Sequence, residues 1–345
     1  MDIKKILLIL AVLAVAAGAL VLARPSSPPA EPHTIGVLQY LPVMEASLQG
    51  LKDGMAKLGY VEGGNITYES RQAFADFNKL DEYAREFVNA DVDLIYAIAL
   101  ESALSAKKEA EKLGRADIPI VFVNANDPDK LGLIGSFRSS GNQVTGVATD
   151  FVAVTAKKLE FLRQIKPDIK KIGVFEAKIT DPAGEYMLAE LRQQAPKFGM
   201  EVIAYPLSSP PGPALIPEIE ASMAGIKPGA IDAYFHLPGP VLSIPPVESL
   251  FAAFPGTLKI PSVFLSPSLV EQGALMSYQH DFYGVGMQAA AYVDKIFRGR
   301  APAELPIEFQ KNNVLTLNLN AAKDIGVEIP ASLIRIADHV IGQSQ

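Results

Sequence analysis

Cysteine and tryptophan are both absent from the 345 residues. Without cysteine there are no disulfides, no thiolate metal sites, no cysteine nucleophile and no thiol to carry a lipid behind an export signal. Histidine is scarce, at positions 33, 236, 280 and 339, and no two of the four stand at the spacing of a zinc pair. Long basic runs are missing too: 31 Lys and Arg face 38 Asp and Glu, for a net charge of -7. That balance argues against a polyanion such as nucleic acid as partner. No Gly-x-Ser-x-Gly elbow, Walker loop or His-Glu-x-x-His occurs, so no assembled catalytic set supports an enzyme. What is present is a chain with 49% hydrophobic and 20% charged residues, which buries a core instead of staying disordered. Its 26 Gly and 26 Pro lie between apolar runs as turn punctuation.

Residues 1–23 read as an export signal. Lys4 and Lys5 precede an uncharged stretch over 6–23, and Ala17-Gly18-Ala19 or Val21-Leu22-Ala23 offers the small residues that a signal peptidase needs. The stretch also meets the ~17 residue minimum for a membrane span, so the reading covers a cleaved signal and a retained N-terminal anchor. Either way the rest of the chain lies outside the cytoplasmic membrane, in a periplasm or on the membrane's outer face. Residues 24–33 carry Pro25, Pro28, Pro29 and Pro32 and form a semi-rigid linker.

From Thr34 onward, apolar runs of strand length alternate with segments of helical period. The run 34–39 (TIGVLQ) has the continuous apolar character of a strand buried on both faces of a parallel sheet. Leu48, Leu51, Met55 and Leu58 then mark a helical stripe, stopped by Gly59. Strands follow at 66–70, 93–99 and 118–123, with helices over 79–89 and 102–113. The second half repeats the plan, with strands at 171–175, 201–205, 231–235 and 260–265 and a helix over 184–198. The intervals agree: Ile35 to Asp93 is 58 positions and Ile172 to Ile231 is 59. Both third strands open with Ile-Pro, at Ile118-Pro119 and Ile260-Pro261. Matched spacings predict two related α/β lobes, and parallel sheets with right-handed crossovers place ligands beyond the carboxyl ends of their strands.

The segments Ile35-Gly-Val-Leu-Gln39, Gly50 to Asn65 (GLKDGMAKLGYVEGGN), Ile118-Pro-Ile-Val-Phe122, Asp127-Pro128, Gly141 to Val147 (GNQVTGV) and Asn318 to Pro330 (NLNAAKDIGVEIP) resemble a family of ABC-transporter substrate-binding proteins that includes tryptophan- and tyrosine-binding members. The likeness spans most of 34–341. It implies a type I periplasmic-binding fold, in which two Rossmann-like lobes are joined by a three-segment hinge and close on a small ligand. Crossings are expected near 149–152, 280–283 and 308–312. They give one lobe of 34–150 plus 282–308 and a second of 151–281 plus 309–345. The resemblance further implies a non-enzymatic carrier that hands a small organic ligand to an ABC permease and uses no cofactor. A ligand-sensing module of the same fold, and less readily an exported hydrolase, are the rival readings.

Departures from the family pattern bear on the ligand. Amino-acid-binding members carry a His-Pro pair after the first strand, where this chain has Tyr40-Leu-Pro-Val-Met44. An Asp-containing loop in the second lobe is replaced by His236-Leu-Pro-Gly-Pro240. A desolvated ammonium needs a paired anion, so the loss of that Asp shifts the expectation toward an uncharged or carboxylate-bearing ligand with an apolar body. Glu101 is the residue able to restore the anion.

Candidate ligand contacts stand just past strand ends: Gln39 and Tyr40, then Leu100, Glu101 and Ser102, then Asn126 and Asp127, then Glu176 and Lys178, and finally His236, with Tyr278 near the hinge. Ser102 also suits a plain helix cap, Asn-Asp-Pro is ordinary turn chemistry, and Glu176 with Lys178 suits a solvated rim pair. Tyr40, Phe74, Tyr278 and Tyr283 are the aromatics placed nearest the cleft or hinge. Gly284-Val-Gly286 mimics a dinucleotide fingerprint but reads better as a close approach between helices.

Overall fold

The computed structural model describes residues 32–40, 44–74, 76–177, 182–210, 214–238, 242 and 245–342. The export segment, most of the linker, Lys178 and the loop 239–241 lie outside the described residues. Among those described, no helix is long and apolar enough to cross a membrane.

The chain begins as alternating strands and helices: β1 (His33–Gln39), α1 (Glu45–Lys57), β2 (Ile66–Gln72), α2 (Phe77–Asn89), β3 (Leu94–Ile98), α3 (Leu100–Lys112), β4 (Ile120–Asn126) and β5 (Val144–Thr149). It continues through α4 (Phe151–Ile165), β6 (Lys171–Ala177), α5 (Pro182–Gln194), β7 (Glu201–Leu207), α6 (Leu215–Gly225), β8 (Ala233–Phe235), α7 (Pro245–Leu258), β9 (Ser262–Phe264), α8 (Pro267–Glu271) and β10 (Met276–His280). The last part holds α9 (Phe282–Phe297), β11 (Glu308–Phe309), β12 (Asn313–Asn318), α10 (Leu319–Ile325), α11 (Ala331–Ile336) and β13 (His339–Ile341).

Two sheets result, ordered β11-β5-β4-β3-β1-β2 and β13-β12-β10-β9-β8-β6-β7. Every pairing in the first is parallel, and in the second β10 with β12 is antiparallel. The fold is therefore two Rossmann-like lobes. The chain passes between the sheets at Asp150, at Asp281 and over 310–312, which makes the three-segment hinge. Phe309 still pairs with Ala148 of the first sheet.

Burial explains why these strands read so clearly. Alternate residues of the first sheet enter different cores. Ile35, Val37, Tyr96, Ile98, Val121 and Val123 face α1 and α9, whereas Leu38, Ile95, Ala97 and Phe122 face α2 and α3. Both faces are covered, so both sets are apolar. Helices α1 and α9 touch through glycines. A Cβ on Gly286 would stand 2.0 Å from the Ser47 carbonyl oxygen, and one on Gly50 would stand 2.0 Å from that of Tyr283. In the Gly284-Val-Gly286 run, Gly286 is thus a backbone contact between helices, while Gly284 lies against the carboxylate of Asp281, the cap of its own helix.

The linker expectation needs one correction. His33 belongs to β1: it pairs with Ile66 and stacks on Phe297 at 3.8 Å between ring centroids. An aromatic partner from α9 fixes the residue that the proline pattern assigned to the spacer. The second lobe's core is a cluster of rings around Phe175, Tyr234, Phe251, Phe254 and Phe264, with Tyr234 stacked on Phe251 at an interplanar angle of 10°.

Candidate functional site

At the carboxyl end of β3 the backbone is strained. Ala99 adopts φ 85° and ψ 160°, a region that L residues rarely enter, and it stands at the N-cap of α3. The turn starts the helix at Leu100, two residues earlier than the apolar pattern suggests. Ser102 therefore lies inside the first turn, fully buried, and its Oγ donates to the Ile98 carbonyl at 2.7 Å. This corrects the cap assignment, because a hydroxyl at that position reaches back to the preceding turn and not to free N–H groups. Glu101, beside it, is half-buried, and burial raises its carboxyl above the ordinary range, partly offset by its own backbone N–H. Leu100 packs against the core between β3 and α2.

Strand β4 carries a bulge at Asn124, which takes φ 56° and turns its amide inward to donate to Ser47 Oγ at 2.8 Å. Past the bulge come Asn126 and Asp127. Asn126 Oδ1 accepts from the Phe151 backbone N–H at 3.1 Å, tying the end of β4 to the first turn of α4 across the hinge. Its Nδ2 donates to Asp127 Oδ2 at 3.2 Å. Asp127, at φ 46°, also receives the Tyr186 hydroxyl at 2.6 Å and pairs with Lys130 at 2.8 Å. Burial works against the Asp127 carboxylate, but the hydrogen bonds from Lys130 and Tyr186 outweigh it and hold the group below its usual range. Tyr186, on α5, is pushed up to about 12 by burial and by Asp127.

The remaining candidates are less exposed than strand-end positions suggest. Gln39 is buried, its Nε2 donating to Ser70 Oγ at 3.0 Å while Oε1 has no partner. Tyr40 is buried against Phe77 at 5.1 Å. His236 is 1% exposed, stacked on Phe264 at 4.9 Å, with Nδ1 2.9 Å from the Tyr234 hydroxyl. In the tautomer in which Nδ1 accepts from the Tyr234 hydroxyl, Nε2 carries the hydrogen. Burial, reinforced by the charge of Lys158, lowers the His236 pKa to about 3. Glu176 is the penultimate residue of β6 and lines a small crevice with Leu237 and Pro238. Tyr278 packs edge-on against Phe161 at 5.2 Å, and its hydroxyl accepts from Asn313 at 3.0 Å, so its contacts stay within the second lobe. Phe74 is 67% exposed, and Tyr283 is an exposed residue whose hydroxyl donates to Asp53 at 2.8 Å.

Two residues escaped the sequence reading. Tyr186 reaches across to Asp127, yet nothing local in α5 marks it. Lys158 is 1% exposed on α4, in line with Val154, Leu162 and Ile165. A lysine on that apolar stripe is a signal available in the sequence. Among the described residues no group of three or more His, Asp or Glu is arranged to hold a metal ion.

Comparison with known proteins follows the same lines. A tyrosine-binding protein of Clostridioides difficile is 25% identical over 297 residues, 85% of this chain and 81% of that protein. Among solved structures, a conserved domain protein from Vibrio cholerae O1 biovar El Tor superposes with a TM-score of 0.74 at 24% identity, covering 90% of this chain and 100% of that one. An ABC domain from Streptococcus pneumoniae in complex with L-Trp superposes with a TM-score of 0.75 at 21% identity and the same coverage. The profile of a family described as ABC transporter substrate binding protein matches residues 34–341. With two lobes on a three-segment hinge and a family match over that span, the chain belongs to the ABC transporter substrate-binding protein family.

Proposed function

We propose that the protein is the extracytoplasmic carrier of an ABC importer, exported behind residues 1–23, which captures a small organic ligand between its lobes and delivers it to a membrane permease. The observation that carries this reading is the hydrogen bond from Tyr186 to Asp127, which joins α5 of the second lobe to the carboxyl end of β4 in the first. A contact of this kind is one that lobe opening would break and lobe closure would form. A ligand contacted by both lobes favours the closed form, which a permease then distinguishes from the open one. The reading assigns capture and no catalytic step.

The ligand proposed is a carboxylate-bearing molecule with an apolar body. The tyrosine-binding relative supports the apolar body, and the replacement of the Asp loop by His236 and its neighbours favours an anionic end over an ammonium. Of the strand-end candidates, Glu101, Asn126, Asp127, Glu176 and His236 are proposed to meet it. The test is a thermal-shift screen of purified protein against amino acids, nucleobases, aromatic acids and sugars, followed by calorimetry. A true ligand at 100 times its dissociation constant adds ~2.7 kcal/mol to stability. A flat response across all four classes would sink the proposal.

A further inference from the structure

Lys158 is the buried cation of the second lobe. Its side chain leaves α4 and lies with Nζ 5.4 Å from the centre of the Phe235 ring, and it forms no ion pair or hydrogen bond with any of the described residues. Phe235 is the last residue of β8, followed at once by His236. The ammonium also acts electrostatically on His236 and on His280, the last residue of β10. The charge therefore sits near the carboxyl ends of the second sheet, the edge where open α/β sheets bind ligands. Helical side chains lean toward their own N-terminus, and α4 begins at the Asp150 crossing, so the stem of Lys158 directs its head toward the hinge end of the lobe.

A buried ammonium without an anion is costly, and burial alone lowers its pKa to about 7. Asp150, the carboxylate at the head of the same helix, is engaged with the Ala153 backbone N–H and acts on His280. In the tautomer in which Nδ1 accepts from the Tyr234 hydroxyl, the neutral His236 offers its Nε2–H as a second donor. Two donors, one of them a cation without a partner, make a locus for a small anion.

We propose that Lys158 is the group that neutralises the carboxylate of the bound ligand, with the His236 Nε2–H as its second donor. The assignment rests on the solute-binding reading above and adds to it the residue that selects ligand charge. When a carboxylate enters the closing cleft, the ammonium gains its missing partner, so closure is favoured by acids over their neutral counterparts.

The test is calorimetry on the full chain with phenylacetate, 3-phenylpropionate and 4-hydroxyphenylacetate, each paired with its primary amide, and with L-tyrosine and L-tryptophan. The wild-type chain is expected to bind at least one acid about tenfold or more tightly than its amide. Lys158→Met should weaken that acid by about tenfold to a hundredfold and leave the amide little changed, while Lys158→Arg keeps part of the preference. Binding of the acid at pH 8 should also draw a proton from the buffer in the wild type alone, read as different apparent heats in Tris and phosphate. Equal binding of acid and amide, or a preference that survives Lys158→Met, overturns the assignment and leaves solute binding standing. Failure of the wild-type chain to bind any of the acids overturns the charge assignment, and solute binding itself falls only if the thermal-shift screen across all four ligand classes is flat as well.

Discussion

The phenol of Tyr186 donates to Asp127 Oδ2 at 2.6 Å, and the two residues belong to different lobes. The bond ties α5 of the second lobe to the end of β4 in the first. Asp127 is held on three sides, by Tyr186, Lys130 and Asn126, on a backbone that itself takes φ 46°.

Tyr186→Phe is expected to release this contact while keeping the ring. The lobes should then separate in the free protein, seen as a larger radius of gyration in small-angle X-ray scattering. The melting temperature should fall little, because a hydrogen bond to a charged group contributes about 1.5–3 kcal/mol and the freed carboxylate gains water on opening. An unchanged scattering curve would show that other contacts hold the closed form.

Acid should destabilise the fold through two histidines. Burial lowers the pKa of His236 to about 3 and that of His280 to about 4, from an ordinary 6.5. His280 makes its Nδ1 contact to Asn313 at 3.1 Å, and its buried Nε2 has no partner. Above the ordinary value neither state binds the proton. As pH falls below 6.5 the unfolded chain takes it up and the folded chain does not, so stability drops by ~1.4 kcal/mol per pH unit for each histidine. Urea midpoints measured between pH 7 and pH 5 should show this slope, and His236→Phe should remove about half of it.

Lys158→Met should raise stability at pH 7, by roughly 1–4 kcal/mol, since it removes an unpaired buried charge and keeps the stem. The sign follows from a folded pKa of about 7 against an ordinary 10.5. The unfolded chain keeps its proton up to the higher value, so the penalty on the wild type is full below pH 7 and fades as pH rises toward 10.5. Denaturation of both proteins at pH 7 and pH 10 checks this: the gap should narrow at the higher pH. A variant less stable than the wild type would mean that the charge has a partner.

Gly286→Ala should cost about 1–3 kcal/mol in thermal unfolding. The added methyl would meet the Ser47 carbonyl oxygen at 2.0 Å and the Leu51 backbone nitrogen at 2.7 Å, and backbone atoms cannot swing aside. Gly225→Ala, where a Cβ meets nothing within 4 Å, is the matched control and should be neutral. Equal effects at the two positions would show that the α1 and α9 helices can move apart at no cost.

The central strands were legible because parallel sheets covered on both faces leave unbroken apolar runs, as at β1 and β3. The matched intervals revealed two lobes for the same reason. The site was less so. Strand-end positions identify where a ligand edge lies, but not whether a hydroxyl is already used, as Ser102 is by the Ile98 carbonyl. Nor does position reveal that His236 is packed between Tyr234 and Phe264, because those rings converge only after folding. Tyr186 had no local mark, since its partner lies 59 residues away on the other lobe. Lys158 did have one: an amphipathic pattern interrupted by a cation on its apolar face.

The three passages between the sheets also fix when the molecule can be completed. The first sheet waits for β11 and the α1 groove waits for α9, both of which follow residue 280, and the second sheet waits for β12 and β13 at the far end of the chain. The first half therefore lacks its edge strand until residue 309 has emerged and the second until residue 341 has, and pairings so distant in sequence form slowly. For a chain exported as proposed above, that delay is useful. Such a chain, still short of these late pairings, would be threaded through a translocation channel before its sheets are complete.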